Sequence, residues 1–324
     1  MYDVIALGEL LIDFTRRESE GNPLFEANPG GAPCNVLAML ARLGRSTAFS
    51  GKVGDDMFGR MLKDAIEEAG ISSVGLVKDP VVPTTLAFVQ NAPDGDREFS
   101  FYRGPGADVM LRPEELPKKE LETTRIFHFG SLSLTGNPAL SATITAVRRA
   151  QGAGAIISFD PNLRESLWGD LDEAREQMLW GCSVCNVLKI AEEELAFLTG
   201  CEGWSEGAAQ LRQKYPNIKL MLVTRGRGGS IALWQNHYVF CPAYTQVKAI
   251  DTTGAGDTFC GCCLHFVLKY GLEALDQEKL MEMLRFANAA AGLVTTRKGA
   301  LRSMPTLEEV EALAAEGPKE AEAL

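Results

Sequence analysis

Residues 251–259 read Asp-Thr-Thr-Gly-Ala-Gly-Asp-Thr-Phe, and an apolar helical pattern follows from Asp257 to Tyr270. Glycine has no Cβ, so two glycines before a helix let backbone amides turn outward. Those amides and the positive end of the helix dipole form a site for an anion. A carboxylate beside that site repels phosphate unless it accepts a proton from an attacking hydroxyl. The stretch therefore indicates phosphoryl transfer to an alcohol, with Asp257 as general base.

A structural alternative for Asp257 is a helix N-cap, whose loss costs about 1 kcal/mol. Gly-x-Gly-Asp alone is typical of a cap, whereas the whole nine-residue string favours the catalytic interpretation. Other nucleotide motifs are missing from the sequence: the nearest match to a Walker A loop, residues 44–53, has the wrong spacing and has Val53 where the motif requires Ser or Thr after Gly-Lys. No G-x-G-x-x-G follows the first apolar run, which disfavours a nicotinamide cofactor.

A second glycine pair lies in residues 28–35, Asn-Pro-Gly-Gly-Ala-Pro-Cys-Asn. The pair opens a helical pattern and permits close approach of the backbone to a ligand. Asn35, one turn into the helix, can hydrogen-bond sugar hydroxyls; a simple turn and cap is the alternative. Asp13 ends an apolar run, and such a carboxylate needs partners, which could be sugar hydroxyls or backbone amides.

Short apolar runs alternate with helical patterns along the 324 residues. Strands are predicted at 4–7, 47–53, 155–159, 183–188, 220–224 and 230–234. Helices are predicted at 33–43, 57–69, 138–150, 192–198, 206–214, 257–270 and 278–296. This order predicts an α/β fold, a doubly wound and mostly parallel sheet flanked by helices, in one domain over residues 1–324.

Two segments break the alternation. Residues 16–29 are polar and turn-rich, and residues 84–102 have the pattern of a β-hairpin. We expect lid segments at about 14–30 and 82–106, forming a small β-sheet that closes over the site and excludes water. The alternative is a hairpin at the edge of the main sheet. An apolar face on the lid predicts a homodimer through it.

Composition excludes several classes of partner. The net charge of −11 argues against nucleic acid and anionic membranes, and no run reaches about 18 apolar residues. Cys182 and Cys185 form a C-x-x-C, and Cys260 and Cys263 form another, but the pairs lie in apolar runs and the three histidines are scattered, so buried free thiols are favoured over zinc or redox chemistry. Free thiols and an N-terminus without signal-peptide features predict a cytoplasmic protein.

These strings resemble the ribokinase-like (PfkB-type) carbohydrate kinases. The resemblance rests on residues 30–36, 51–59 and 251–257, and it extends over about residues 2–312. It implies ATP with Mg²⁺, a small-molecule sugar as acceptor, and the same ribokinase-like fold with a β-sheet lid.

The resemblance also implies roles for individual residues. Catalysis is assigned to Asp257, with the amides of Gly254, Ala255 and Gly256. Sugar contacts are assigned to Asp13, Gly30, Gly31, Asn35, Phe101, Arg103 and Arg164. Nucleotide contacts are assigned to Lys189, Thr224, Gly226, Gly229, Thr252, Gly254, Gly256 and Asn288. A monovalent cation, K⁺, is assigned to Asp251, Thr253, Val294, Arg297, Gly299 and Ser303.

This sequence departs from the family at one motif. Family members often carry Asn-x-x-Glu, which organises Mg²⁺ and phosphate, whereas residues 191–194 read Ala-Glu-Glu-Glu. The resemblance therefore retains Glu194 for Mg²⁺, through phosphate or water, and leaves the Asn position unfilled.

Within the family, the sequence is most similar to fructokinases, which implies the 6-hydroxyl of fructose as acceptor. Residues 160–168, Asp-Pro-Asn-Leu-Arg-Glu-Ser-Leu-Trp, are shared with 2-keto-3-deoxygluconate kinases, and a nucleoside kinase is a further alternative. Arg103 and Arg164 fit sugar hydroxyls, a sugar-acid carboxylate or ordinary salt bridges. A non-catalytic sensor of nucleotide or sugar is the alternative from another class.

Overall fold

The computed structural model describes residues 1–17, 21–91 and 97–319. Residues 18–20 and 92–96 of the two predicted lid segments, and residues 320–324, lie outside the described residues. The predicted turn of the hairpin falls within the second of these gaps.

A nine-stranded sheet forms the centre of the molecule, in the order β13-β12-β11-β10-β9-β8-β1-β4-β5. Its strands are β1 Val4–Leu7, β4 Thr47–Gly54, β5 Ile71–Asp79, β8 Ile126–Gly130, β9 Ile156–Asp160, β10 Val187–Ala191, β11 Leu220–Thr224, β12 Ser230–Trp234 and β13 His237–Cys241. Pairing is parallel from β5 to β11 and antiparallel at β12 and β13. The predicted mostly parallel sheet is therefore confirmed.

Helices flank this sheet: α1 Ala32–Arg42, α2 Met57–Glu68, α3 Lys118–Leu121, α4 Ala139–Gly152, α5 Leu171–Val184, α6 Glu192–Thr199, α7 Trp204–Lys214, α8 Ala255–Tyr270, α9 Gln277–Val294 and α10 Leu307–Glu316. Two hydrophobic clusters form the core, one with α1, α8 and α9 and the other with α4 and α5. Within the described ranges, none of the helices has the length and apolar character needed to cross a bilayer.

A second sheet of four strands stands apart from the first, in the order β3-β2-β6-β7. It consists of β2 Leu11–Arg17, β3 Leu24–Gly30, β6 Leu86–Asn91 and β7 Arg97–Tyr102. The hairpin β6–β7 belongs to this sheet, so the alternative of an edge on the main sheet is wrong. The segment predicted to be turn-rich, 16–29, supplies the end of β2 and all of β3 except Gly30, because the pairing of β2 with β3 and with β6 organises a polar sequence.

The predicted strand 183–188 is wrong at its start. Ser183 lies in α5, which the sequence reading missed, and β10 begins only at Val187. A short buried apolar run has the same composition in a helix as in a strand, so the run across Cys182 and Cys185 did not mark the boundary. Strands β5, β8 and β13 were not predicted. Strand β8 is fully buried, so its apolar run has no alternation that would mark it as a strand.

Candidate active site

A cavity of about 280 Å³ opens at the carboxyl ends of β1, β9 and β10. In parallel sheets ligands bind at this edge. The predicted residues that line the cavity are Asp13, Gly31, Asn35, Phe101, Arg164, Lys189, Thr252, Gly254, Gly256 and Asp257. Glu9 and Asn162 line it as well. The tertiary structure thus brings the predicted sugar residues other than Gly30 and Arg103 into one space with the predicted anion site.

Helix α8 begins two residues earlier than predicted, at Ala255. Its N-cap is Gly254 with φ 78°, a left-handed conformation that favours glycine. Asp257 therefore lies within the first turn, and the N-cap interpretation of Asp257 is wrong. Among the described residues, the Gly254 and Gly256 amides have no recorded acceptor, whereas Ala255 N donates to Thr252 O over 3.3 Å.

The Asp257 carboxylate faces helix α1. Its Oδ2 accepts a hydrogen bond of 2.8 Å from Asn35 Nδ2, across 222 residues of sequence. Burial raises the pKa of Asp257, and the charge of Glu194 adds to this, while the Asn35 bond and the charges of Lys189 and Arg164 act in the opposite direction. The net shift is upward, as a general base requires if it is to accept a proton near neutral pH.

Lys189 and Asp160 form a buried pair below Asp257. Lys189 Nζ donates to Asp160 Oδ1 over 3.2 Å and lies 3.0 Å from Oδ2, in charge contact. Burial lowers the pKa of Lys189, but the charges of Asp160 and Glu194 raise it more, so the ammonium stays protonated. Burial raises the pKa of Asp160 to about 7 against the opposing charge of Lys189.

Glu9 is a buried carboxylate in the cavity wall that was not predicted as a site residue. It follows β1 by two residues, and its Oε1 accepts the Ala32 N–H over 2.7 Å, at the first residue of α1. Burial raises its pKa to about 7, opposed by the Ala32 hydrogen bond and the Arg103 charge. Gly31 precedes α1 with φ 137°, and a Cβ there would lie 2.3 Å from the Glu9 carbonyl oxygen. Glu9 and Gly31 therefore fix the close approach of the β1 end to helix α1.

The two predicted arginines lie in different surroundings. Arg103 is buried and paired with Asp108 at 2.6 Å, and it donates to Thr135 Oγ1 and Leu132 O. It borders a separate surface pocket, not the cavity of Asp257. Arg164 is exposed and lines the Asp257 cavity, and its Nη1 donates to Leu163 O over 3.0 Å. Arg103 therefore forms the salt bridge considered from the sequence, and its sugar contact stays a prediction.

The remaining predicted nucleotide residues lie beyond the cavity. Thr224 ends β11, and Gly226 and Gly229 bound the turn that follows, both with positive φ. Asn288, on α9, is buried; its Oδ1 accepts from Ser230 Oγ over 2.8 Å and its Nδ2 donates to two carbonyls near Cys241. These bonds hold α9 against β12 and β13, so Asn288 shapes the region that the sequence assigned to nucleotide.

Glu194 lies at the start of α6, and both of its carboxylate oxygens accept backbone amides, Leu163 N at 2.7 Å and Ala191 N at 2.8 Å. Its charge reaches Asp160, Lys189 and Asp257. Over the described part of the chain, no three His, Cys, Asp or Glu side chains form a metal cluster. A divalent ion here would take its ligands from phosphate and water, with Glu194 as the neighbouring charge.

The predicted monovalent-cation residues converge from two segments. Asp251 Oδ1 accepts Thr253 N over 2.8 Å, and Asp251 Oδ2 accepts Gly299 N over 3.3 Å. Ser303 Oγ donates to Gly299 O, Val294 is buried, and Arg297 pairs with Glu309. A second, smaller cavity is lined by Asp13, Gly30, Asp251, Thr253 and Gly299. Carboxylate, hydroxyl and carbonyl oxygens are thus concentrated next to the start of α8.

Glu9 and Asn162 line the cavity, and Asp160 lies beside it as the partner of Lys189; none of the three was predicted as a site residue. Glu9 and Asp160 each follow or end a buried apolar strand, where the carboxyl edge of a parallel sheet collects functional groups. Asn162 has φ 46°, an uncommon conformation for a residue other than glycine. Only the fold shows that Glu9 contacts the start of α1 and that Asp160 contacts Lys189.

Comparison with known proteins gives consistent relatives. The family model described as "pfkB family carbohydrate kinase" matches residues 1–307. Fructokinase-1 of Zea mays is 41% identical over 311 residues, which cover 95% of this chain and 96% of that protein. Fructokinase from Xylella fastidiosa with bound ATP has a TM-score of 0.89 at 35% identity, with 98% of this chain and 99% of that chain covered.

A further similar structure is a double mutant of fructokinase from Vibrio cholerae O395 in a form with fructose, ADP and potassium ion. Its TM-score is 0.86 at 30% identity, covering 97% of this chain and 98% of that chain. The family match spans nearly the whole chain, and the relatives agree with it over the same length. The chain therefore belongs to the pfkB family of carbohydrate kinases.

Proposed function

We propose that this chain transfers the γ-phosphoryl group of MgATP to the 6-hydroxyl of D-fructose. The observation that carries the proposal is the Asp257 carboxylate in the first turn of α8, 2.8 Å from Asn35 Nδ2 on α1. The raised pKa of this carboxylate, and its position in the first turn of α8 beside Asn35, support its role as the base. The names of the relatives supply fructose as the acceptor and ATP as the donor.

In the proposed step, Asp257 accepts the proton of the 6-hydroxyl as its oxygen attacks the γ-phosphorus. A new O–P bond forms, the bond from the γ-phosphorus to the β–γ bridging oxygen breaks, and its electron pair leaves with ADP. The amides of Gly254, Ala255 and Gly256 would donate to the oxygens of the transferring group. Donors fixed in place before the reaction stabilise charge that develops in the transition state.

Magnesium, held by the nucleotide phosphates and water beside Glu194, would neutralise charge on those phosphates. Thr224, Gly226, Gly229, Thr252 and Asn288 would bind or shape the rest of the nucleotide site. A potassium ion fits the oxygen-rich region of Asp251, Thr253 and Gly299 and would support the start of α8. Turnover that is severalfold higher in potassium than in sodium buffer is the expected result; equal turnover would contradict the potassium site.

A neutral sugar fits the arginines better than a sugar acid. Asp108 already neutralises Arg103 at 2.6 Å, so a substrate carboxylate would compete with a buried partner. Of these two arginines, Arg164 is the one that lines the cavity, where its N–H groups can reach hydroxyls. Asp13, Gly31, Asn35 and Phe101 complete the sugar surface in this proposal.

The test is a coupled ADP-release assay with MgATP against fructose, glucose, ribose, 2-keto-3-deoxygluconate and adenosine. Turnover confined to fructose is expected. Turnover with the keto acid instead would keep the phosphoryl-transfer chemistry and reassign Arg164 to a carboxylate. ATP binding without turnover of any acceptor would favour a sensor and overturn the proposal.

We further propose that the four-stranded sheet is the lid of a single kinase domain and that two copies pair through it. Phe25 and Tyr102 are 43% and 67% exposed, and both rings contact Phe88 within the sheet. A second copy would remove this aromatic surface from water. Sedimentation or light scattering should give a dimer at micromolar concentration, and Phe25→Asp should shift it towards monomer; a wild-type monomer would contradict the pairing.

A further inference from the structure

Two lysines have buried side chains among the described residues, Lys52 on β4 and Lys189 on β10. Only Lys189 lines the cavity of Asp257. We propose that the Lys189 ammonium, held in position by Asp160, contacts the transferring phosphoryl group and stabilises its charge in the transition state. This inference rests on the proposed function, because it gives Lys189, which the resemblance assigned only to a nucleotide contact, a part in stabilising the transition state of the same phosphoryl transfer.

The position of Lys189 is set by the main sheet. Strands β9 and β10 are parallel, with Leu188 opposite Phe159, so the next residues, Lys189 and Asp160, come level at the carboxyl edge. Their side chains are 8% and 3% exposed. Both residues are therefore anchored on rigid strands, and the ammonium has little freedom to leave the cavity wall.

The ammonium has a donor to spare. A lysine carries three N–H donors, and Asp160 is the one hydrogen-bond acceptor recorded for Lys189 within the described ranges. Lys52 is the contrasting case: Glu115 accepts at 2.8 Å, Met110 O lies at 3.3 Å, and Asp79 is 3.0 Å away. Lys52 is saturated by the protein, whereas Lys189 keeps an N–H for a ligand in the cavity.

Gly256 supports the same placement. Its φ is not in the left-handed range, so the backbone conformation there does not require glycine. A Cβ on Gly256 would instead lie 3.0 Å from Lys189 Nζ. The missing side chain lets the ammonium lie directly against the first turn of α8, where the proposed phosphoryl-binding amides are.

Charge in the cavity points the same way. Asp160, Glu194 and Asp257 bring negative charge to the space that an anionic phosphoryl group must enter, and Lys189 and Arg164 are the cations acting on Asp257. Arg164 is exposed and screened by water, whereas Lys189 is buried, where a charge acts more strongly. Lys189 is thus the cation best placed to offset the phosphoryl charge.

The decisive comparison is Lys189→Met against the double variant Lys189→Met/Asp160→Asn, with Lys52→Met as the matched buried control. The single change leaves Asp160 without its cation, so it can lower activity by disturbing the fold alone. The double variant replaces the pair by neutral groups of similar size, which tolerate burial better than a lone charge. Folding of each variant is checked by its thermal transition.

We expect the folded double variant to lose about 10²–10³-fold in kcat with fructose, the range for removing one transition-state donor. Its KM for ATP and its affinity for ADP should change less than tenfold, while its affinity for ADP–aluminium fluoride with fructose falls in parallel with kcat. Lys52→Met should retain wild-type kcat. Recovery of the double variant to within about threefold of wild type would show that Lys189 only neutralises Asp160, and would overturn the proposal.

Failure of the proposed function can be told apart from failure of this inference. If wild-type protein phosphorylates no sugar in the panel, the function is wrong, and Lys189 is then judged from binding of ADP–aluminium fluoride and of ADP alone. A loss of affinity in the double variant for ADP–aluminium fluoride but not for ADP would still support contact with the terminal phosphoryl group. Equal affinities in wild type and double variant would overturn it.

Discussion

Helices α1 and α8 begin in the same way and serve different ends of the cavity. Each follows a glycine with positive φ, 137° at Gly31 and 78° at Gly254, and the two first turns meet through the Asn35–Asp257 hydrogen bond. The N-terminus of α1 is already occupied by a carboxylate, since Glu9 accepts the Ala32 N–H at 2.7 Å. Nothing comparable is recorded for the Gly256 amide in the part of the chain that the structure describes.

This difference gives the sugar and the phosphoryl group of the proposed reaction different binding surfaces. A helix N-terminus attracts anions through its amides and its dipole. At α1 the Glu9 carboxylate already accepts an amide of the first turn, so the surface that remains is suited to neutral hydroxyls and not to a second anion. At α8 the tendency remains, with Lys189 beside it, so an anionic phosphoryl group is better placed there. The comparison predicts that changes at α8 lower kcat and that changes at α1 weaken sugar binding.

The largest effect is expected from Asp257→Asn, which removes the proposed base and keeps the shape of the side chain. We expect kcat to fall by about 10²–10⁴-fold, the usual contribution of general base catalysis. ATP affinity, measured by calorimetry, should stay within a few-fold. The α1 counterpart, Asn35→Ala, should act mainly on the KM for the sugar; an equal loss of kcat in both variants would remove the distinction between the helices.

The two helix-opening glycines should differ in stability when replaced by alanine. Each alanine must adopt a positive φ, 137° at residue 31 and 78° at residue 254, which costs about 1–3 kcal/mol. At Gly31 the new Cβ also meets the Glu9 carbonyl at 2.3 Å, whereas at Gly254 it meets the Ala300 side chain at 2.5 Å. The Glu9 carbonyl, just after the buried strand β1, can move less to make room for a Cβ than the Ala300 side chain in its loop.

We therefore expect Gly31→Ala to lower the thermal midpoint more than Gly254→Ala, and Gly254→Ala to lose more turnover per folded molecule. Differential scanning calorimetry and kcat measured on the same preparations test both statements. The reverse order of midpoints would mean that the loop containing Ala300 is the more rigid neighbour.

Glu9→Gln tests the anion at α1 through the pH dependence of stability. The pKa of Glu9 is raised by burial to about 7 from an ordinary value of 4.5. A raised acid binds its proton more tightly in the folded state, so wild-type protein should lose stability as the pH rises from about 4.5 through 7. One pKa unit corresponds to about 1.4 kcal/mol, so a shift of this size bounds the effect at roughly 3 kcal/mol.

The Gln variant cannot titrate, so its stability difference from wild type should grow in its favour between pH 5 and pH 8. Urea unfolding at these two values measures that difference. A difference that does not change with pH would show that Glu9 keeps one protonation state throughout.

The smallest effect concerns the acid limb of turnover. Asp257 must be deprotonated to act as a base, and its pKa is raised, so kcat/KM should decline with falling pH through a value above that of an ordinary carboxyl group. The Asn35 hydrogen bond opposes this rise. Asn35→Ala should therefore move the limb to higher pH; an unmoved limb would assign it to another group, such as Asp160.

The sequence predicted the family and the mostly parallel sheet, because these depend on local features, whereas the lid role of the second sheet and the roles of the cavity residues stay predictions. Glycine pairs, apolar periodicity and the string at 251–259 are readable residue by residue. The predicted boundaries were less accurate. The strand predicted at 183–188 covers the end of α5 and the start of β10, because one apolar run extends across both elements. Helix α8 began two residues before the prediction, which changed Asp257 from a possible cap to a first-turn residue.

What the sequence by itself determined is the chemistry available: a carboxylate after two glycines, oxygen-rich loops and a chain of the pfkB family. What only the tertiary structure decided is which of these groups meet. Asn35 and Asp257 are 222 residues apart in sequence, and Lys189 reaches Asp160 only because β9 and β10 are in parallel register. Hydrogen bonds and charge interactions act over a few ångströms, so they follow the packing of distant segments, which local sequence patterns do not record.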